Sequence, residues 1–184
     1  AQERRGCAEP IVPFLWQGET IYNTLILSAP GTGKTTCLRD CIRILSDGEN
    51  GRIGLKVGIV DERSEIAACH MGVPQKNIGR RTDVLDHCPK AQGIFLLLRS
   101  MSPQVIAVDE LGRKEDFLAV EQAACSGSRV LGTIHAAEMK ELTEKKQLRH
   151  WMKQGMFQRF VLLQKNDSGE RNFQIYDEKL EQLC

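Results

Sequence analysis

The chain has 184 residues, 41% of them apolar and 27% charged, which suits one ordinary globular domain with a core of its own. Its 25 basic and 24 acidic residues nearly cancel, so composition gives no footprint for nucleic acid or an anionic membrane, and no nucleic-acid partner is expected. The seven cysteines (Cys7, Cys37, Cys41, Cys69, Cys88, Cys125 and Cys184) are odd in number and never spaced as CxxC; this argues against a disulfide framework or a zinc site and for a reducing cytoplasm.

In chain order, the opening AQERRGCAEPIVPF carries two prolines and little periodicity, so residues 1–18 read as a linker remnant from a missing amino-terminal domain. Residues 19–165 then form the core and 166–184 a carboxyl-terminal hairpin and tail. Within the core, TLIL (24–27) reads as a buried strand running into a glycine loop, with a helix over 35–46. VGIVD (57–61) is a second strand. A helix is expected over 64–71, then a Gly/Pro/Asn-containing loop, and a second helix over 90–101. VIAVD (105–109) is a third strand, 116–126 a helix, RVLGTI (129–134) a fourth strand, and 138–154 one charged helix. FVLLQ (160–164), NDSGE and FQIY (173–176) read as a hairpin at the sheet edge. Apolar strands alternating with helix-length segments predict an α/β domain with a mostly parallel central sheet flanked by helices. The longest apolar run, IFLLL at 94–98, falls well short of the roughly 20 residues that cross a bilayer, and no leader peptide opens the chain.

The loop SAPGTGKTT (28–36) carries the most specific chemistry. Gly31 and Gly33 let backbone N–H groups turn inward on phosphate oxygens, and the positive end of the next helix adds to that field. Ser28, Ala29, Pro30, Gly31, Thr32, Gly33, Lys34, Thr35 and Thr36 together form the expected nucleotide-binding segment. Lys34 would reach the β- and γ-phosphates, and the Thr35 hydroxyl would ligate magnesium. Ser28 stands where the GxxxxGK[ST] pattern begins with glycine; serine favours turns, so the departure touches geometry more than chemistry.

Asp109 and Glu110 follow four apolar residues, which places carboxylates at the carboxyl end of a buried strand, where ligands collect in open α/β sheets. Asp109 would serve the magnesium shell and Glu110 would act as general base on the attacking water. Asp61-Glu62 repeats the pattern, as either an auxiliary acidic cluster at the γ-phosphate or a strand end salt-bridged to Arg63. In GTIHAAE, Thr133 and His135 end the fourth strand, where His135 is either a γ-phosphate sensor or a partly exposed strand-end histidine. Cys37 and Cys41, one helical turn apart, suit small core residues.

Loop, VGIVDERSEIAAC, GRRTDVLDHCPKAQG, RSMSPQVIAVDELGRKED and GTIHAAE, in this order, resemble the ATPase motors of type II and type IV secretion, and more closely the stage III sporulation protein AA family. The resemblance is specific from about residue 20 to 135 and weaker beyond. It implies a RecA-like ASCE P-loop NTPase that hydrolyses ATP with Mg2+. It also implies a homo-oligomeric, hexameric ring, cytoplasmic and peripheral, docked through a membrane-protein anchor on a sporulation channel complex. By position it makes residues 31–36 the phosphate and magnesium binders, Asp61 and Glu62 an acidic box, Asp109 and Glu110 the Walker B pair, and His135 the histidine box. Secretion motors usually carry glycine before the Walker B glutamate, so the division of labour between Glu62 and Glu110 stays open, with Glu110, Glu62 and His135 as the catalytic candidates.

Ring motors commonly take a cation across the subunit interface to balance charge on the γ-phosphate. Arg63, Arg80, Arg81, Arg99 and Arg113 stand beside the signatures, and Arg80-Arg81 is preferred for that role because GRRTD reads as a polar loop. An ATP-hydrolysing motor, a nucleotide-gated scaffold with little turnover and, less favoured, a small-molecule kinase remain as function classes; nothing marks a kinase lid or acceptor site.

Overall fold

A computed structural model describes residues 4–166 and 169–184. The inner strands are apolar on both sides, and their two-residue alternation sends side chains to two separate cores, as a sheet covered on both faces requires. Leu25 and Leu27 of β3 (Thr24–Ser28) join one cluster while Ile26 joins the other; Val60 and Ile59 of β4 (Val57–Asp61) part in the same way. On the face of Ile26 and Ile59 lies α1 (Lys34–Asp47), with Leu38, Ile42 and Leu45 fully buried. The second face carries α2 (Lys90–Ser100), α3 (Lys114–Cys125) and the short α4 (Glu141–Glu144) and α5 (Lys146–Lys153).

The remaining strands are β5 (Thr82–Asp86), β6 (Val105–Val108), β7 (Arg129–His135), β8 (Arg159–Lys165) and β9 (Arg171–Tyr176). They make a seven-stranded sheet in the order β5-β4-β6-β7-β3-β8-β9, parallel throughout except for β9, which returns antiparallel on β8 as the expected edge hairpin. The position of β7 matters most for function. It lies between β3, which feeds the glycine loop, and β6, which feeds Asp109-Glu110, so its last residues sit between those two motifs.

Four sequence expectations change. Residues 64–71 are not a helix: Ser64, Ala68 and Met71 have φ near 50°, outside the right-handed helical region. The following loop contains an edge strand, β5, whose polar TDVLD sequence gives little periodic signal. The single helix over 138–154 is two, broken at Lys145 by extended backbone (ψ 121°), and its charged pattern conceals Leu142, Leu148 and Trp151 in the core. Finally, the segment expected as linker packs against α1. Ala8, Ile11, Val12 and Leu15 are at most 1% exposed, Ala8 N–H donates to Asp40 Oδ2 (2.9 Å), and a small hairpin of β1 (Trp16–Gln17) and β2 (Thr20–Ile21) follows. The apolar residues of this stretch follow no helical or strand period, which is why they read as linker. Residues 1–3 of that segment and 167–168 of the hairpin turn lie outside the described residues.

Candidate active site

The loop leaves β3 at Ser28 and enters α1 at Lys34. Gly31 has φ 74° and Gly33 φ 109°, conformations a side chain disfavours, and no side chain caps the helix start. The first-turn N–H groups of α1 are therefore free to face an anion, with the helix dipole behind them. Ser28 is fully buried; its Oγ donates to the Ala29 carbonyl (2.8 Å), and Thr32 Oγ1 donates to the same oxygen (3.0 Å). Both hydroxyls brace the turn. Ser28→Gly is therefore expected to leave nucleotide affinity within a few-fold, because one neutral hydrogen bond contributes only about 1 kcal/mol; a titration showing lost binding would assign Ser28 a direct role.

Three motifs meet at one cleft of about 590 Å³ whose lining includes Gly31, Gly33, Lys34, Thr35, Glu110 and His135. Ser28 pairs with His135 in the β3–β7 register, which brings the end of β7 against the loop. Lys34 Nζ contacts His135 Nδ1 at 3.0 Å, and His135 Nε2 contacts Glu110 Oε1 at 3.2 Å. An ammonium can only donate and a carboxylate can only accept, so these contacts match neutral His135 with its proton on Nε2. Burial lowers the Lys34 pKa, while the Asp109, Glu110 and Glu65 carboxylates oppose that shift.

Asp109 is 9% exposed and accepts from two hydroxyls: Thr35 Oγ1 at 2.6 Å, and Thr133 Oγ1. Thr133 Oγ1 in turn accepts the Glu110 N–H at 2.8 Å. This bond helps hold Glu110 at φ 54°, a left-handed conformation that costs a residue with a side chain about 1–2 kcal/mol. Thr35 and Asp109 supply adjacent hard oxygens suited to Mg2+, whose other positions are commonly filled by phosphate oxygens and water. No cluster of three or more His, Cys, Asp or Glu able to hold a metal occurs among the described residues.

The two carboxylates expected as an acidic box behave differently. Asp61 is 2% exposed and accepts the N–H groups of Glu65 (2.9 Å), Ile66 (3.0 Å) and Ala67 (2.8 Å); it pins its own loop and does not line the cleft. Glu62 is bound to Lys90 and lies 3.6 Å from Arg113; the pairing with Arg63, one of the two alternatives the sequence left open, is not formed. The Lys90 hydrogen bond holds its carboxyl below the ordinary value near 4.5. A depressed carboxyl pKa contributes stability above the unfolded value and loses it as pH falls through the folded one. Glu62→Gln should therefore flatten the acid side of the stability profile below about pH 4.5, read by thermal unfolding against pH. Glu65, which the sequence did not single out, is the acidic-segment residue on the cleft rim. Its position could be found only from the turn that Asp61 imposes.

The arginines are also redistributed. Arg63 Nη1 pairs with Glu110 Oε2 at 2.7 Å, and Arg113 approaches Glu62. Arg80 instead contacts Asp47, the last residue of α1, and Arg81 N–H bonds Ser46 Oγ, which puts both about 20 Å along the helix from the glycine loop of their own chain. Arg99 lies in the last turn of α2, away from the cleft. Two further cations, absent from the sequence shortlist, come from the edge hairpin: Lys165 Nζ donates to the Gly31 carbonyl at 2.9 Å, and Arg171 lines the cleft.

The family described as Sporulation stage III, protein AA matches residues 1–183. The chain belongs to this family. Stage III sporulation protein AA of Bacillus subtilis (strain 168) is 44% identical over 177 residues, covering 96% of this chain and 57% of that protein. Among solved structures, the ATPase DotB of Legionella pneumophila superposes with a TM-score of 0.70 at 20% identity, over 96% of this chain and 51% of that one. The pilus retraction motor PilT, solved with bound ADP, gives 0.65 at 16% identity, over 95% and 52%. The chain thus spans about half the length of these relatives. The family member described here has the RecA-like fold of the secretion ATPases, and no helix among its described residues is long and apolar enough to cross a membrane.

Proposed function

We propose that this domain binds ATP with Mg2+ and hydrolyses it, as the motor unit of a homo-oligomeric, hexameric ring that energises a membrane-associated sporulation channel or secretion apparatus. The observation that carries the reading is the chain of contacts Lys34–His135–Glu110, which joins phosphate loop, inserted strand and acidic strand end at one cleft. Mg2+ would supply charge neutralisation at the β- and γ-phosphates. Lys34 would bind those phosphates, Thr35 and Asp109 would hold the ion, and Glu110 would take a proton from water as its oxygen bonds the γ-phosphorus and the bridging P–O bond to ADP breaks. His135 touches both Lys34 and Glu110, so recruitment of Lys34 by a γ-phosphate is relayed to the base.

This reading places the protein on the cytoplasmic face, anchored through a membrane partner. One observation favours a second reading, the nucleotide-gated scaffold: Arg63 occupies Glu110 Oε2, and a base so paired turns over slowly until the arginine moves. The test is phosphate release by the chain with ATP, alone and in its assembled form. Lys34→Ala should weaken ATP binding about 10- to 100-fold, the scale of lost charge-assisted hydrogen bonds, and EDTA should stop turnover. ATP binding without phosphate release in the assembled form would leave the scaffold.

A further inference from the structure

Arg171 reaches the phosphate loop from the start of β9, two strands from β3 at the sheet edge. A Cβ added to Gly33 would lie 2.7 Å from its Cζ, so the guanidinium rests directly on the loop, where a side chain at Gly33 would expel it. Among the described residues its guanidinium has no hydrogen bond or ion pair, although Lys34 and the positive end of α1 are its neighbours. Its side chain is exposed, so the guanidinium is open to an anion bound at the loop.

The surroundings indicate which anion. Gly33 and Arg171 line both the cleft containing Lys34, Glu110 and His135 and a second cleft of about 960 Å³, bounded by Cys7, Ile11, Cys37 and Phe173. The machinery for the reacting phosphate stands in the first cleft, so Arg171 stands at the passage from phosphates to nucleoside. We infer that Arg171 is an in-chain ligand of the α-phosphate of a nucleoside di- or triphosphate, whose ribose and base occupy the second cleft. This rests on the nucleotide reading proposed above. It also gives the edge hairpin a role: bound nucleotide would tie β9 to the loop that Lys165 already holds through Gly31.

Titration of the 184-residue chain with a fluorescent ADP analogue tests the inference. Arg171→Ala should weaken ADP about tenfold, the scale of a charge-assisted contact, and Arg171→Lys should recover part of the loss. Competition by AMP, whose single phosphate is the α one, should fall by the same factor. The unliganded unfolding midpoint should stay unchanged, since the guanidinium supports no other group, while the ADP-induced rise in that midpoint should shrink. Unchanged ADP affinity in Arg171→Ala, with Lys34→Ala losing it, overturns this inference and leaves the nucleotide reading intact. A wild-type chain that fails to bind ADP overturns both.

Discussion

Glu110→Gln should keep ATP affinity near that of the wild type while turnover falls by about 10²- to 10⁴-fold, the range for loss of a positioned general base. The amide replaces one carboxylate oxygen with a group that cannot take a proton, yet it is nearly isosteric and keeps the Glu110 N–H bond to Thr133, so the φ 54° turn survives. Thr35 and Asp109 stay in contact, which leaves the magnesium pair intact. The partners of the lost charge, Arg63 at 2.7 Å and His135 at 3.2 Å, can turn to solvent, because their side chains are 63% and 44% exposed. Single-turnover phosphate release beside equilibrium ATP binding separates the two quantities. Wild-type turnover in Glu110→Gln would move the base to Glu65 or Glu62. Of these, Glu65 is the better placed, since it lines the Lys34 cleft while Glu62 is neutralised by Lys90.

What the sequence reveals about this site follows from how far each side chain's position depends on local rules. The phosphate loop is legible because glycines at 31 and 33, lysine at 34 and hydroxyls at 35 and 36 are tied to a strand-to-helix turn whose geometry is set within nine residues. The Thr35–Asp109 and His135–Glu110 contacts are legible at one remove, because strand ends of a parallel sheet fall together. Arg171 escapes because its relation to Gly33 depends on β8 pairing with β3, which sets the expected hairpin beside the glycine loop, a register no local pattern states. The acidic segment misleads for a different reason. Four residues after the strand the chain turns back under its own aspartate, so the carboxylate nearest the strand end faces backbone and a later one reaches the cleft.

The same turn gives the largest expected stability effect. Asp61→Ala removes the acceptor for the N–H groups of Glu65, Ile66 and Ala67; Ile66 and Ala67 are fully buried, so water cannot replace it there. Arg39, buried on α1, holds the carbonyls of Glu65 and Ile66 from the opposite side, so the segment cannot swing out to solvate those donors without breaking that clamp as well. Unsatisfied buried donors cost about 1–3 kcal/mol each, and partial relaxation brings the total to about 3–5 kcal/mol. For a chain of this size that lowers the unfolding midpoint by about 10 °C. Asp61→Asn should fall roughly halfway, since its carbonyl can still serve Ile66 and Ala67 while its NH2 opposes the Glu65 N–H. The decisive comparison is between midpoint and turnover of the folded fraction. If Asp61 acts only by shaping the loop, Asp61→Asn retains turnover within a few-fold when assayed below its midpoint; a drop as deep as that of Glu110→Gln would return Asp61 to the reacting phosphate.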